Sequence, residues 1–594
     1  AERPTEVAPG LRDGAKDASD LWAELPVEMD LSWAAKHYNH LRRDEATLLR
    51  VAEVIEGMRD RGLAFRGSKM KKPVEVQPIP MNLHAQLFTV IETHAETGAM
   101  TPIVGEYEII SHGAPAVHAL GYKKGGLLSL ETKLTASREK LRDAIREYKG
   151  LVEKKKDFEE KFGGALASGK TPQELGDECL SHPHLPQALL PTAGATCFGP
   201  DSRASQLLQE ISRMTMHYEG RAAEVSVRRA FALSQALSLV VSSFSTKLQL
   251  LIRGQSGGPA AAAQRWVDQG FCVYFEGLIS THGDEKGMAE DTAKILDFLR
   301  TWKLRIVKGL PPSPEDVARV REEEGMRECD MEWPAVQFDV DVKARVAAII
   351  LDEENFEGLP TCLKTPSPAA AAAATASPTG VAEGVDVCIC PVFFLQGIDI
   401  KQTMANMAGG GSSGPVFQMK INRKYFAVLN QHCHQCYPMP REAIAAPTME
   451  SPAEDEPNLL VHPLCEALAA AIRRETERQK NVEILEEAQR VVFSLGGGQC
   501  TFCKSGKDRT AMAVTLQQSR VLGEFHGCGT GKIRQLADAN TMRALGTRLD
   551  VASKNIGYAK YSFNPLQVSF IPEMYRPPTA TIQDYATSIM KRDS

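Results

Sequence analysis

The sequence is short of several things, and each shortage closes off a class of protein. Net charge is small: 69 lysines and arginines against 75 aspartates and glutamates give −6 over 594 residues. So near a balance offers no global field to nucleic acid or to an anionic membrane, and any basic surface must be local. A spanning helix needs about 20 apolar residues. The most apolar helical stretch, Ala230 to Ile252, is interrupted by Ser234, Ser238, Ser242, Ser243, Ser245 and Lys247, which suits a buried helix instead. Ala1-Glu2-Arg3-Pro4 opens no apolar segment, so no secretory signal is legible, and the missing initiator Met points to a trimmed or partial chain. Cysteine is not scarce, but the 13 residues are odd in number and scattered from Cys179 to Cys528. They form no regular frame, which implies free thiols in a reducing compartment. No internal repeat is visible.

What the sequence does have is one stretch with chemistry in it: Cys503-Lys504-Ser505-Gly506-Lys507-Asp508-Arg509-Thr510. Small and apolar residues precede it (Gly498 to Phe502) and a helix-like run follows, Ala511 to Phe525. Strand, tight loop, helix is the order in which backbone N–H groups and a helix N-terminus wrap an anion. Cys503 supplies a nucleophile, since a helix N-terminus and nearby cations favour thiolate over thiol. Arg509 suits a bidentate grip on two phosphoryl oxygens. Gly506 lets the backbone turn with no Cβ in the way. Thr510 is placed to donate its hydroxyl to the sulfur. The expected reaction passes through a phosphocysteine that water then cleaves. It requires no cofactor and no metal. Asp508 is the nearest proton donor for the leaving oxygen, although the adjacent guanidinium favours its carboxylate form. Asp399 is the second candidate. Lys504 and Lys507 add positive charge beside Arg509 and so point to a substrate with several phosphates. With Ser505 and Gly506 they complete the substrate-binding set.

Around this loop the periodicity predicts an α/β protein: a C-terminal cysteine-phosphatase domain of the protein-tyrosine-phosphatase type, preceded by a large α-rich region. The expected divisions are a partly ordered helical extension over 1–80, an α-rich region over 81–310, and the phosphatase domain over 311–594. Low-complexity insertions fall at 366–383, 409–414 and 445–458. Tyr107 to Pro115 and Trp333 to Val342 have the pattern of strands, and Val385 to Gln396 that of a buried strand. Leu128 to Phe162 predicts a long, charge-rich helix. Ala204 to Arg253 predicts a helical hairpin, and Asp291 to Val307 a single helix. Ser256 to Pro259 and the alanines after it predict a short link, and His462 to Leu495 a helical stretch.

The loop resembles the signature of the inositol polyphosphate 4-phosphatases, and also that of related bacterial effector inositol phosphatases. Further stretches carry the same resemblance. They are Asn82-Leu83-His84, Gly113-Ala114-Pro115 with His118, Gly121 to Gly126, Gln396-Gly397-Ile398 with Gln402-Thr403, Lys554-Asn555-Ile556, Lys560 to Asn564, and Tyr575-Arg576-Pro577-Pro578. Together they span about residues 80–580 and are dense only near the loop. The resemblance implies removal of the 4-phosphate of phosphatidylinositol 3,4-bisphosphate, with soluble inositol phosphates as further substrates. It implies Cys503 as nucleophile, Arg509 as phosphate ligand, and Lys504 and Lys507 as headgroup contacts. A cytoplasmic enzyme that meets the membrane peripherally, without nucleic acid, is expected. The family's N-terminal lipid-binding C2 domain has no counterpart in residues 1–80. Two rival readings are a broad inositol polyphosphate phosphatase and an inactive headgroup-binding scaffold.

Other cysteines invite chemistry less strongly. Cys500-Thr501-Phe502-Cys503 could protect the nucleophile as a disulfide, but a small buried strand residue is the plainer account of Cys500. Cys362, Cys388 and Cys390 are expected in the core. His432-Cys433-His434-Gln435-Cys436 looks like half of a zinc site, yet zinc ligands usually come in two separated pairs. A helix face or core position is the expectation there.

Overall fold

A computed structural model describes residues 80–93, 100–115, 125–172, 174–180, 203–254, 259–309, 337–365, 384–407, 413–439, 448–449, 459–556 and 559–583. The chain falls into two units: Ala1–Ala52 with Leu127–Ala230, and Glu53–Gly126 with Phe231–Ser594. The described residues of the first are helical. In α1 (Leu127–Phe158) the residues Leu141, Ala144, Ile145 and Tyr148 recur at three- and four-residue steps and pack on Ala204, Leu207 and Ile211 at the start of α2 (Arg203–Ile252). Arg203 adds an ion pair to Glu147 at 2.9 Å. The expected helical hairpin over 204–253 is instead one continuous helix of 50 residues. That stretch has no proline and a single glycine, Gly220. One interior glycine costs only about 1 kcal/mol relative to alanine, too little to break a helix of this length. By length and composition α2 passes as a membrane span, but most of its apolar stretch is buried within the protein.

The second unit is built on a mixed sheet of eight strands. They are β1 (His84–Thr93), β2 (Met100–Gly113), β3 (Phe271–Gly277), β4 (Lys303–Lys308), β5 (Gln337–Asp341), β6 (Val346–Leu351), β7 (Val385–Leu395) and, after a small ribbon of β8 (Thr448–Met449) and β9 (Leu459–Leu460), β10 (Gly498–Cys503). The order across the sheet is β1-β2-β10-β3-β7-β4-β6-β5. Four adjacent strands, β2, β10, β3 and β7, are parallel. Strands buried on both faces need no polar alternation, and every residue of β3 is buried.

Helices α3 (Pro259–Gln269), α4 (Asp284–Leu299), α5 (Ile400–Met407), α6 (Ser413–Cys436), α7 (Glu466–Arg473), α8 (Glu483–Ser494), α9 (Asp508–Phe525), α10 (Lys532–Leu545) and α11 (Thr547–Ile556) complete the unit. Phe502 of β10 stacks on Phe393 of β7 at 5.9 Å and on His112 of β2 at 5.1 Å.

The sheet crosses the division expected at 310/311, because β2, β3 and β4 come from one side of it and β7 and β10 from the other. The helix expected over 291–307 ends at Leu299, and β4 begins at Lys303, where Leu304 and Ile306 alternate with polar residues. The alanines after Pro259 lie in α3, not in a link. Ser413 and Gly414, expected in a loop, open α6. The predicted insertion at 366–383 lies outside the described residues, as do the expected helical extension up to residue 79, most of 445–458, His118 and the basic positions Lys123 and Lys124.

Candidate active site

Four parallel strands end at one edge of the sheet, and ligands of open α/β sheets bind beyond such carboxyl ends. Cys503 closes β10 there, 2% exposed. Its carbonyl accepts from the N–H of Ala114 at 2.9 Å, just past β2. The N–H of Leu278, just past β3, donates to Phe502 at 2.8 Å, and that of Gln396, just past β7, donates to Gly277 at 2.9 Å. The backbone at Phe502 and Cys503 is thus fixed from both sides.

From Cys503 the chain turns through Lys504 to Lys507 into α9. Gly506 has φ of +68°, and a Cβ there would lie 2.4 Å from the carbonyl carbon of His112. Only glycine suits both the angle and the space. Asn82 donates from its side-chain amide to the Ser505 carbonyl at 2.7 Å. The two lysines differ: Lys504 is half-buried, whereas Lys507 is buried at 2% exposure. The expected bond from the Thr510 hydroxyl to sulfur is not made. Its Oγ1 is buried and has no partner among the described residues. Cys500 is fully buried, and burial pushes its thiol well above the ordinary range, which agrees with a core residue.

Arg509 is held in a defined pose. Its Nη1 donates to Glu285 Oε2 at 2.8 Å, to Asp399 Oδ2 at 3.0 Å and to the Leu278 carbonyl at 2.9 Å, and Nη2 donates to Glu285 Oε1 at 2.8 Å. Among the described residues no acceptor meets Nε, so the Nε and Nη2 edge of the fork is left for a ligand. Burial works against the charge of Arg509, but Glu285, Asp399 and Cys503 raise its pKa above the ordinary value. Burial also opposes ionisation of Glu285, yet Arg509, the Ser280 N–H and Lys401 hold it down at about 2.

The two acid candidates have different settings. Asp508 Oδ1 accepts from the backbone N–H of Ser562 at 2.8 Å, which ties the 560–564 segment to the loop. Asp399 faces Arg509 and also accepts from the Gln402 N–H at 3.1 Å, at the start of α5. Its segment is clamped by Lys480, whose Nζ donates to the carbonyls of Ile398 (3.0 Å), Asp399 (2.8 Å) and Phe570 (2.7 Å). Burial lowers Lys480 to about 8.

Three residues escape sequence reasoning: Glu285, Lys480 and Arg548. Arg548, 2% exposed on α11, donates to Ser111 Oγ at 2.8 Å, while its Nε and Nη2 have no partner among the described residues. Burial lowers it to about 10, against the opposing pull of Tyr561 and Cys503. No spacing signal ties these positions to the loop. Arg509 and Glu285 are 224 residues apart.

Several of the described landmark residues lie at this same edge. Asn82 touches the loop, Gly113 ends β2 opposite Cys503, and Gln402 donates its N–H to Asp399. Arg543, fully buried, binds the Met574 and Arg576 carbonyls and so docks the Tyr575–Pro578 segment on α9 and α10.

Residues 363–575 match the family described as INPP4A C-terminal domain. The human inositol polyphosphate 4-phosphatase type II is 31% identical over 381 residues, 64% of this chain and 35% of that protein. The type II inositol 3,4-bisphosphate 4-phosphatases of Pongo abelii and Rattus norvegicus are 31% and 29% identical, over 71% and 73% of this chain and 41% of each relative. The chain therefore spans about two-fifths or less of the length of these relatives. Over its C-terminal domain and the segments that meet Cys503, the chain is similar to the inositol polyphosphate 4-phosphatases.

Proposed function

We propose that the chain removes the 4-phosphate of phosphatidylinositol 3,4-bisphosphate through a phosphocysteine at Cys503. The observation that carries the reading is the pose of Arg509: Glu285 and Asp399 fix one side of its guanidinium, and the Nε and Nη2 edge stays available beside Cys503. In the first step the sulfur bonds phosphorus, the bond from phosphorus to the inositol oxygen breaks, and a carboxyl gives that oxygen a proton. In the second, water attacks phosphorus, returns a proton to the carboxylate, and releases phosphate and thiolate. Two carboxyls are near enough to serve: Asp508, next to Arg509 in the chain, and Asp399, which contacts it across the edge. Lys504 and Lys507 supply positive charge for the remaining phosphate, the half-buried Lys504 by contact and the buried Lys507 from beneath the loop. Soluble inositol phosphates with the same phosphate pattern are further substrates. The enzyme works in the cytoplasm and meets the lipid surface peripherally.

The test is phosphate release from a panel of phosphoinositides and soluble inositol phosphates, by the wild type and Cys503→Ser. Release confined to 3,4-bisphosphate headgroups, and lost in the variant, supports the proposal. Equal release from many headgroups points to the broader phosphatase. Lipid binding without release by the wild type points to the scaffold.

A further inference from the structure

We infer that the second unit carries a structural zinc site formed by Cys272, Cys390 and His432, with Cys436 as fourth ligand, at the end of the sheet remote from Cys503. Cys272 and Cys390 are direct register partners on the adjacent parallel strands β3 and β7. His432 and Cys436 are one helical turn apart on α6. The Sγ atoms of Cys272 and Cys390 and a ring nitrogen of His432 all lie within 4.8 Å of one another. Cys436 Sγ lies 3.5 Å from His432 Nε2. A tetrahedral zinc with Zn–S of about 2.3 Å and Zn–N of about 2.0–2.1 Å has ligand–ligand edges of roughly 3.6–3.8 Å. The 3.5 Å contact already has that edge length, and the Cys272, Cys390 and His432 donors need to close by about 1 Å at most among themselves.

The donor chemistry selects the metal. Three thiols and one imidazole, with no carboxylate among them, suit zinc and disfavour magnesium or calcium. Cys272 and His432 are buried, at 2% and 3% exposure, and Cys390 and Cys436 are half-buried. Zinc takes thiolate sulfur and neutral imidazole, so loading the site releases protons.

His432 to Cys436 is one compact cluster in the sequence, on a helix whose His432 is buried, and the second pair comes from two distant strands. Its position also sets its role. Cys272 precedes Gly277, the last residue of β3, by five positions, roughly 16 Å at about 3.3 Å per residue. The site therefore takes no part in the chemistry at Cys503; it fastens α6 to the two central strands. This inference does not depend on the phosphatase reading.

The full chain, purified under reducing conditions without chelator, is assayed for metal content and then exchanged with cobalt(II). About one zinc per chain is expected, together with a tetrahedral cobalt spectrum bearing thiolate charge-transfer bands. Cys390→Ser and Cys436→Ser should each lower zinc content at least tenfold at a fixed free zinc concentration. Cys503→Ser and the exposed-cysteine control Cys528→Ser should retain it. Should Cys390→Ser fail to fold, the wild-type cobalt spectrum decides. An octahedral or absent spectrum overturns the proposal. So do metal-free wild type, loss of metal in Cys503→Ser, and a Cys272–Cys390 disulfide found by mass mapping in the zinc-free protein.

Discussion

Replacing Glu285 by glutamine tests the architecture of the site most directly. The carboxylate is 2% exposed and takes both Nη atoms of Arg509 at 2.8 Å. Its pKa is held at about 2 against an ordinary 4.5. At about 1.4 kcal/mol per pH unit, that depression contributes on the order of 3 kcal/mol to stability at neutral pH. The folded-state pKa lies below the unfolded one, so the contribution is complete above pH 4.5 and is lost as pH falls through about 2. Glu285→Gln removes the charge but leaves an oxygen to accept one bond, and Asp399 still faces Arg509 at 3.0 Å. Breaking one side of a buried pair costs about 3–5 kcal/mol; with this compensation a loss of about 2–3 kcal/mol is expected. The assay is urea unfolding from pH 7 down to the lowest pH at which the wild type stays folded. The gap between wild type and variant should be widest at neutral pH and narrow steadily below pH 4.5. A gap under about 0.5 kcal/mol at pH 7, or one that does not change with pH, would refute the argument. Activity should fall as well, by roughly 10- to 100-fold in kcat/KM, because the guanidinium loses the partner that aims it.

Four further substitutions probe the rest of the edge. Gly506→Ala should destabilise by about 2 kcal/mol or more and abolish phosphate release, since the added Cβ meets His112 at 2.4 Å and φ is +68°; unchanged unfolding and activity would refute this. Lys480→Met strands the carbonyls of Ile398, Asp399 and Phe570, and should cost about 1–3 kcal/mol in chemical denaturation. A neutral result there would mean that those carbonyls find water. Asp508→Asn and Asp399→Asn should be compared on an inositol lipid and on an aryl phosphate with a good leaving group. The true proton donor, when neutralised, loses far more on the lipid than on the aryl ester, and equal losses on both substrates exclude that residue from the role.

The loop itself was legible in the sequence because its chemistry is local. Cys503, Gly506 and Arg509 are close in the chain, and their residue types announce an anion-binding turn ahead of a helix. β7 was legible for a similar reason, as eleven residues of nearly unbroken β-forming character. What supports the loop was not legible. Glu285 and Arg548 are one acid and one arginine among many, and only the pairing of distant strands brings them to the edge. The break between α4 and β4 was missed because Ile295 to Leu299 keeps a helical period almost until Lys303, so a three-residue turn separates two patterns that merge in a window. The expected hairpin in α2 assumed a turn that no residue there encodes.

The place of β10 between β2 and β3 has a consequence for how the molecule is made. Its partners are synthesised long before it: Gln499 bonds Glu108 across 391 residues, and Thr501 bonds Glu276 across 225. Until residues 498–503 leave the ribosome, the sheet lacks its central member, and two parallel strand edges have no mate. Contacts this distant in sequence slow folding, and unpaired edges invite association with other chains. Assembly of the edge around Cys503 therefore waits for residues 498–503. A chain that stops short of residue 498 lacks Cys503 and also exposes the two strand edges that β10 would have covered.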